Sequence, residues 1–105
     1  MQASMTLPSF PTKFPLGRTV ITCGVAQALA ERDQAYQEWI VQSLKRHAQA
    51  DWGEMGDEDK QTNDEALKSG KARLFSAYEK DGFGKIWIIT EWDRSATTIL
   101  FPEEY

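Results

Sequence analysis

The sequence predicts an α+β domain: a small antiparallel sheet of three to four strands, a C-terminal meander among them, covered by two to three helices. Three observations carry that prediction. Tyr36, Ile40, Leu44 and His47 or Ala48 recur at helical spacing. From Arg73 onward the period changes to two, in segments rich in aromatic and β-branched residues. A chain of 105 residues, 41% hydrophobic and 27% charged, fits one domain around one core.

Residues 1–17 read as an irregular arm, because Pro8, Pro11 and Pro15 oppose both helix and central strand. Phe10 and Phe14 are expected to pack this arm onto the domain, which spans residues 18–105. Thr19–Cys23 is β-branched and predicts a strand, with Thr22 as N-cap of a short helix from Gly24 to Glu31. Asp33 predicts the cap of a second helix running to about Gln49, which Asp51-Trp52-Gly53 breaks. Asp57 is expected to cap a third helix. Glu58 and Asp59 in its first turn suit the helix dipole, and Gly70 is the expected terminator after Lys68.

Arg73–Glu79 then alternates, and Lys80–Lys85 reads as a hairpin loop. Ile86–Ile89 is apolar on both faces, which predicts an internal strand, with Trp92 continuing it. Asp93-Arg94-Ser95 turns the chain into a last strand, Thr97–Phe101, ended by Pro102. The Val20-Ile21 strand is expected to join the meander. With helices on one face, the apolar second face of the Trp87 strand requires the arm or a partner chain, since large uncovered apolar patches mark interfaces.

Composition narrows the function classes. A single cysteine, Cys23, permits no internal disulfide. No window approaches 18 apolar residues and no basic-then-apolar leader opens the chain, so no membrane contact is expected and the default location is cytoplasmic. The net charge of −4 is unevenly placed, with seven acidic and two basic side chains in residues 51–70. Nucleic acid is a disfavoured partner, because no basic stretch exists to neutralise phosphates. The acidic stretch instead suits a basic protein surface.

Candidate chemistry is sparse. His47 is the only histidine, with Asp51 four residues on to orient it. Glu91, Asp93 and Arg94 form the densest polar group beside an apolar strand; paired carboxylates with an arginine perform glycosidic or phosphodiester hydrolysis. Cys23 follows a strand near a helix start and is expected as a buried thiol. One His and one Cys make no ligand spacing, and Asp57, Asp59, Asp64 and Glu65 lack the pattern and glycine of a calcium loop. No metal and no cofactor is therefore expected. Trp52 is the tryptophan least explained by periodicity, and either anchors its loop on the core or meets a partner.

The run Ile88-Ile89-Thr90-Glu91-Trp92-Asp93-Arg94-Ser95-Ala96-Thr97-Thr98-Ile99-Leu100-Phe101-Pro102-Glu103-Glu104-Tyr105 resembles the ending of a family of small, uncharacterised proteins carried on plasmids and integrated mobile elements. Arg46-His47, Asp51-Trp52-Gly53, Asn63-Asp64-Glu65-Ala66-Leu67 and Arg73-Leu74-Phe75-Ser76-Ala77-Tyr78 are similar to the same family, as is Thr22-Cys23-Gly24-Val25-Ala26, where Cys23 stands in place of a proline. The resemblance covers about residues 16–105. Some members carry a label relating them to type I restriction–modification, although this chain is too short for a methyltransferase or nuclease subunit. The resemblance implies an accessory role on a mobile element and carries over no catalytic residue.

Together these readings predict a non-enzymatic protein-interaction module of a mobile element, contacting its partner through Asp57, Glu58, Asp59 and Trp52. An inhibitor of host defence is one form of it, and homodimerisation is open. The alternative is a small hydrolase or nuclease-like enzyme using Glu91, Asp93, Arg94 and His47.

Overall fold

A computed structural model describes the backbone of residues 2–4 and the whole of residues 10–105. Pro8 of the predicted arm lies outside the described residues. Gln2–Ser4 (β1) pairs antiparallel with Arg18–Thr22 (β2), so part of the arm is a strand. Three helices follow: Cys23–Glu31 (α1), Gln34–Ala48 (α2) and Asp57–Ser69 (α3). The meander is Leu74–Lys80 (β3), Gly84–Thr90 (β4) and Ala96–Leu100 (β5), closed by a 3-10 turn at Pro102–Glu104.

The α+β class holds, and the strand order is β1-β2-β5-β4-β3. The sheet is mixed rather than antiparallel: β2 runs parallel to β5, with Thr19 opposite Thr97 and Ile21 opposite Ile99. The reason is topological. Parallel neighbours need a long crossover, and everything between β2 and β5 supplies one.

Caps and breakers act largely as the side chains dictate. Thr22 Oγ1 accepts from Val25 N (3.4 Å), and an Asp33 carboxylate oxygen accepts from Tyr36 N (3.1 Å). The third helix departs from expectation. Its N-cap is Gly56, with no side-chain bond, and Asp57 is the first helical residue. Two further expectations are corrected. Cys23 is exposed, as the first residue of α1. Trp92 does not extend β4, which stops at Thr90; the indole stands in the turn and is 63% exposed.

One face of the sheet meets the helices. Ile21, Ile86, Ile88, Ile99 and Tyr78 form a buried cluster with Val25 of α1 and Tyr36, Ile40 and Leu44 of α2. A second cluster joins Phe14 of the arm to Trp52, Ala66 and Leu74. The hairpin tip is drawn onto the helices: Arg32 lies over the rings of Tyr36 and Phe83, at 4.4 and 5.3 Å, and donates to Gly82 O (2.8 Å). On the opposite face Val20, Ala77, Ile89 and Leu100 are buried, and Phe75 and Trp87 are half-buried.

The outer edge of β3 is closed without another strand. Ala77 N donates to Trp52 O (3.2 Å), and Ala77 O accepts from Glu54 N (2.7 Å). Asn63 serves Phe75 with both ends of its amide, donating to the carbonyl (2.7 Å) and accepting from the N–H (3.0 Å). A Glu54 carboxylate oxygen accepts from Glu79 N (3.0 Å). Gly53 permits this approach: at φ 73°, a Cβ there would lie 2.1 Å from Ala77 O.

Candidate functional site

The sequence-derived candidates fall in different places. His47 sits in the last turn of α2 and is fully buried. Its Nδ1 lies 2.5 Å from Ser76 Oγ and its Nε2 2.8 Å from Thr90 Oγ1. Thr90 Oγ1 is in turn 2.7 Å from Thr97 Oγ1, which donates to Leu16 O at 2.7 Å. That carbonyl fixes every proton in the chain, because it can only accept. The Thr97 proton goes to Leu16, so Thr90 donates to Thr97 and His47 Nε2–H donates to Thr90. Nδ1 is then the lone-pair side and accepts from Ser76. Burial, with a smaller contribution from the nearby Arg94 charge, pushes the imidazole pKa down to about 3. It is thus a neutral polar strut between α2, the sheet and the arm. Asp51 does not orient it: its carboxylate binds Arg46 at 2.7 and 3.1 Å and accepts from Gly53 N. The bond from Arg46 holds that carboxyl below its usual pKa.

Glu91, Asp93 and Arg94 do share one turn, between β4 and β5. Asp93 is exposed and accepts from Ser95 N (3.0 Å), an Asx turn; the bonds from Ser95 lower its pKa. Arg94 binds carbonyls rather than a carboxylate. Nη1 donates to Ala72 O (2.6 Å), Glu91 O (3.1 Å) and Trp92 O (3.3 Å), and Nη2 donates to Ala66 O (3.1 Å). The guanidinium thus ties the end of α3 to the β4–β5 turn.

Trp52 is buried at 3% exposure, its indole N–H donating to an Asp64 carboxylate oxygen (2.9 Å). Asp57, Glu58 and Asp59 are exposed on the first turn of α3. Among the described residues, no group of three or more His, Cys, Asp or Glu side chains is placed to hold a metal, and no helix is long and apolar enough to cross a membrane.

Beside that acidic turn lies an open groove of about 550 Å³, on the face of the sheet away from α1 and α2. Phe75, Ala77 and Trp87 give it an apolar floor, and Met55 adds an apolar wall. The aromatic pair packs tilted, with ring centroids 4.9 Å apart. Glu54 and Asp59 contribute acidic groups to the lining, Arg73 and Lys85 basic ones. Sequence reasoning found the apolar face of the Trp87 strand but not this groove. Its walls come from the 54–56 loop and α3, which the Trp52, Glu54 and Asn63 bonds hold at the β3 edge.

No family model, no curated protein and no solved structure matches this chain.

Proposed function

We propose that the chain is a protein-interaction module whose contact surface is this groove together with the acidic first turn of α3. The groove carries the reading. It joins half-buried aromatic rings to an exposed cluster of carboxylates, the combination by which an apolar anchor is seated and a charged flank selects its partner. The partner it fits is a basic protein surface presenting an apolar side chain: the anchor lies over Phe75 and Trp87, and Lys or Arg side chains face Asp57, Glu58 and Asp59. The resemblance of the C-terminal run to mobile-element proteins suggests that this partner belongs to the element or its host, and inhibition of a host protein is one consequence of such binding.

The test compares the wild type with a neutralised variant, Asp57→Asn, Glu58→Gln and Asp59→Asn, as bait in host lysate. A specific partner is then purified and its direct binding measured. The reading expects at least about tenfold weaker binding by the variant at low salt, narrowing as salt screens the charges. Equal affinities for a variant with unchanged circular dichroism and melting temperature overturn it.

A further inference from the structure

Residues 10–17 of the arm lie as a strap over the buried imidazole. The strap runs between two paired strands, β1 before it and β2 after it. Phe14 is its buried side chain, at 6% exposure, whereas residues 11–13, 15 and 17 are exposed. The Phe14 ring stands edge-on to His47, centroids 5.4 Å apart, and stacks on Trp52 at 6.3 Å. Polar ties hold the strap down. Lys13 N donates to Ala48 O (2.8 Å), Gln49 Nε2 to Pro11 O (2.6 Å) and Thr97 Oγ1 to Leu16 O (2.7 Å). The last of these ends the proton chain that begins at His47, so strap and imidazole share one network.

That network closes only around a neutral ring. A second ring proton would sit on Nδ1, which accepts from Ser76, and would set two donors against each other. The charged groups of the surrounding elements offer no compensation. Arg94 of the β4–β5 turn is of the same sign, as are Lys45 and Arg46 of α2 and the exposed Lys13 of the strap. Asp51 is bound to Arg46, and Asp64 of α3 to the Trp52 indole. Tyr78 of β3 gives its hydroxyl proton to Asp51 O. A protonated His47 therefore needs water, and the strap is what separates it from water.

We propose that the strap is an acid-opened lid: protonation of His47 releases residues 10–17 while the sheet and helices stay folded, uncovering the apolar surface of Trp52, Ala66 and Leu74 that Phe14 covers. None of these residues lines the groove, so the lid stands apart from the groove reading. Closed, the imidazole resists a proton down to about pH 3; with the strap lifted it takes one near pH 6.5. The open form binds more protons between those values, so it gains population as pH falls through 6.5. From pH 7 to pH 5 the ratio of open to closed forms rises about 25-fold.

The test is residue-resolved hydrogen exchange of the full chain at pH 7 and pH 5, with the Lys13 amide reporting the strap and the β4 amides the core. After correction for intrinsic rates, Lys13 protection should fall about 25-fold between the two, with β4 at least about tenfold more protected than Lys13 at both. His47→Gln should leave Lys13 protection flat with pH. Phe14→Ala gives a second reading: the imidazole Cε1–H resonance should titrate about one pH unit or more above its wild-type midpoint. Lys13 protection that changes less than about threefold in the wild type, Lys13 and β4 exchanging with equal protection, or an unmoved midpoint in a folded Phe14→Ala protein overturns the proposal.

Discussion

At the residue scale the decisive group is His47. A histidine with both ring nitrogens buried is stable only if each finds a partner of the right kind, and Ser76 and Thr90 supply one donor and one acceptor. The cost appears on acidification. The native imidazole resists protonation down to about pH 3, whereas an unfolded histidine takes a proton near pH 6.5. The unfolded state therefore binds more protons than the native one between those values, so the contribution present above pH 6.5 is lost as pH falls. Between pH 7 and pH 5 the wild type should lose about 2 kcal/mol of unfolding free energy through this group, and His47→Gln should lack that component of the slope. Urea unfolding at the two pH values measures it; parallel losses in the two proteins would show that His47 titrates normally. Chemistry at neutral pH from this imidazole would require it to leave the core.

At the element scale the exposed side of β3 is the vulnerable feature of the sheet. A free strand edge invites pairing with another chain. Here the 52–54 loop and Asn63 occupy its outward backbone groups from Phe75 to the N–H of Glu79. Asn63→Ala removes both partners of the Phe75 peptide groups at a buried position, at an expected cost of about 2–3 kcal/mol. Gly53→Ala should be at least as damaging, because the added methyl meets Ala77 O at a positive φ. Chemical denaturation checks both, and light scattering should show Asn63→Ala self-associating on mild heating. An Asn63→Ala protein with the stability and light scattering of the wild type would mean that the loop alone closes the edge.

At the scale of the whole molecule, Arg94 links parts far apart in sequence. Its fork reaches carbonyls of α3, of the 70–73 connection and of its own turn, from a backbone at φ 60° that a non-glycine residue adopts only when its surroundings hold it there. Arg94→Ala should lower the unfolding free energy by about 2–3 kcal/mol, and Arg94→Lys should recover less than half, because an ammonium cannot span diverging acceptors as a planar fork does. Urea midpoints for the two variants give the comparison; full recovery by lysine would reduce the role of Arg94 to its charge.

The sequence by itself determined what depends on neighbours along the chain. Thr22 and Asp33 start α1 and α2 because their hydroxyl and carboxylate reach N–H groups three residues on, and the apolar spacing from Tyr36 to Ala48 buries one side of α2. Alternation and the Asp81-Gly82 turn lay out β3 and β4, and the doubly apolar Ile86–Ile89 run marks an internal strand. Only the tertiary structure decided the rest. The parallel β2–β5 pairing depends on where the whole intervening chain delivers β5, which no local pattern encodes. Glu91, Asp93 and Arg94 are neighbours in sequence, yet the arginine faces carbonyls of another element, because guanidinium geometry selects whichever acceptors folding brings within reach. Irregular spacing leaves Trp52 open between a loop anchor on the core and a partner contact, and it is core because Phe14, Ala66 and Leu74 converge on it from three segments. The groove over Phe75 and Trp87 is likewise a product of distant segments meeting, its aromatic floor coming from β3 and β4 and its walls from the 54–56 loop and α3.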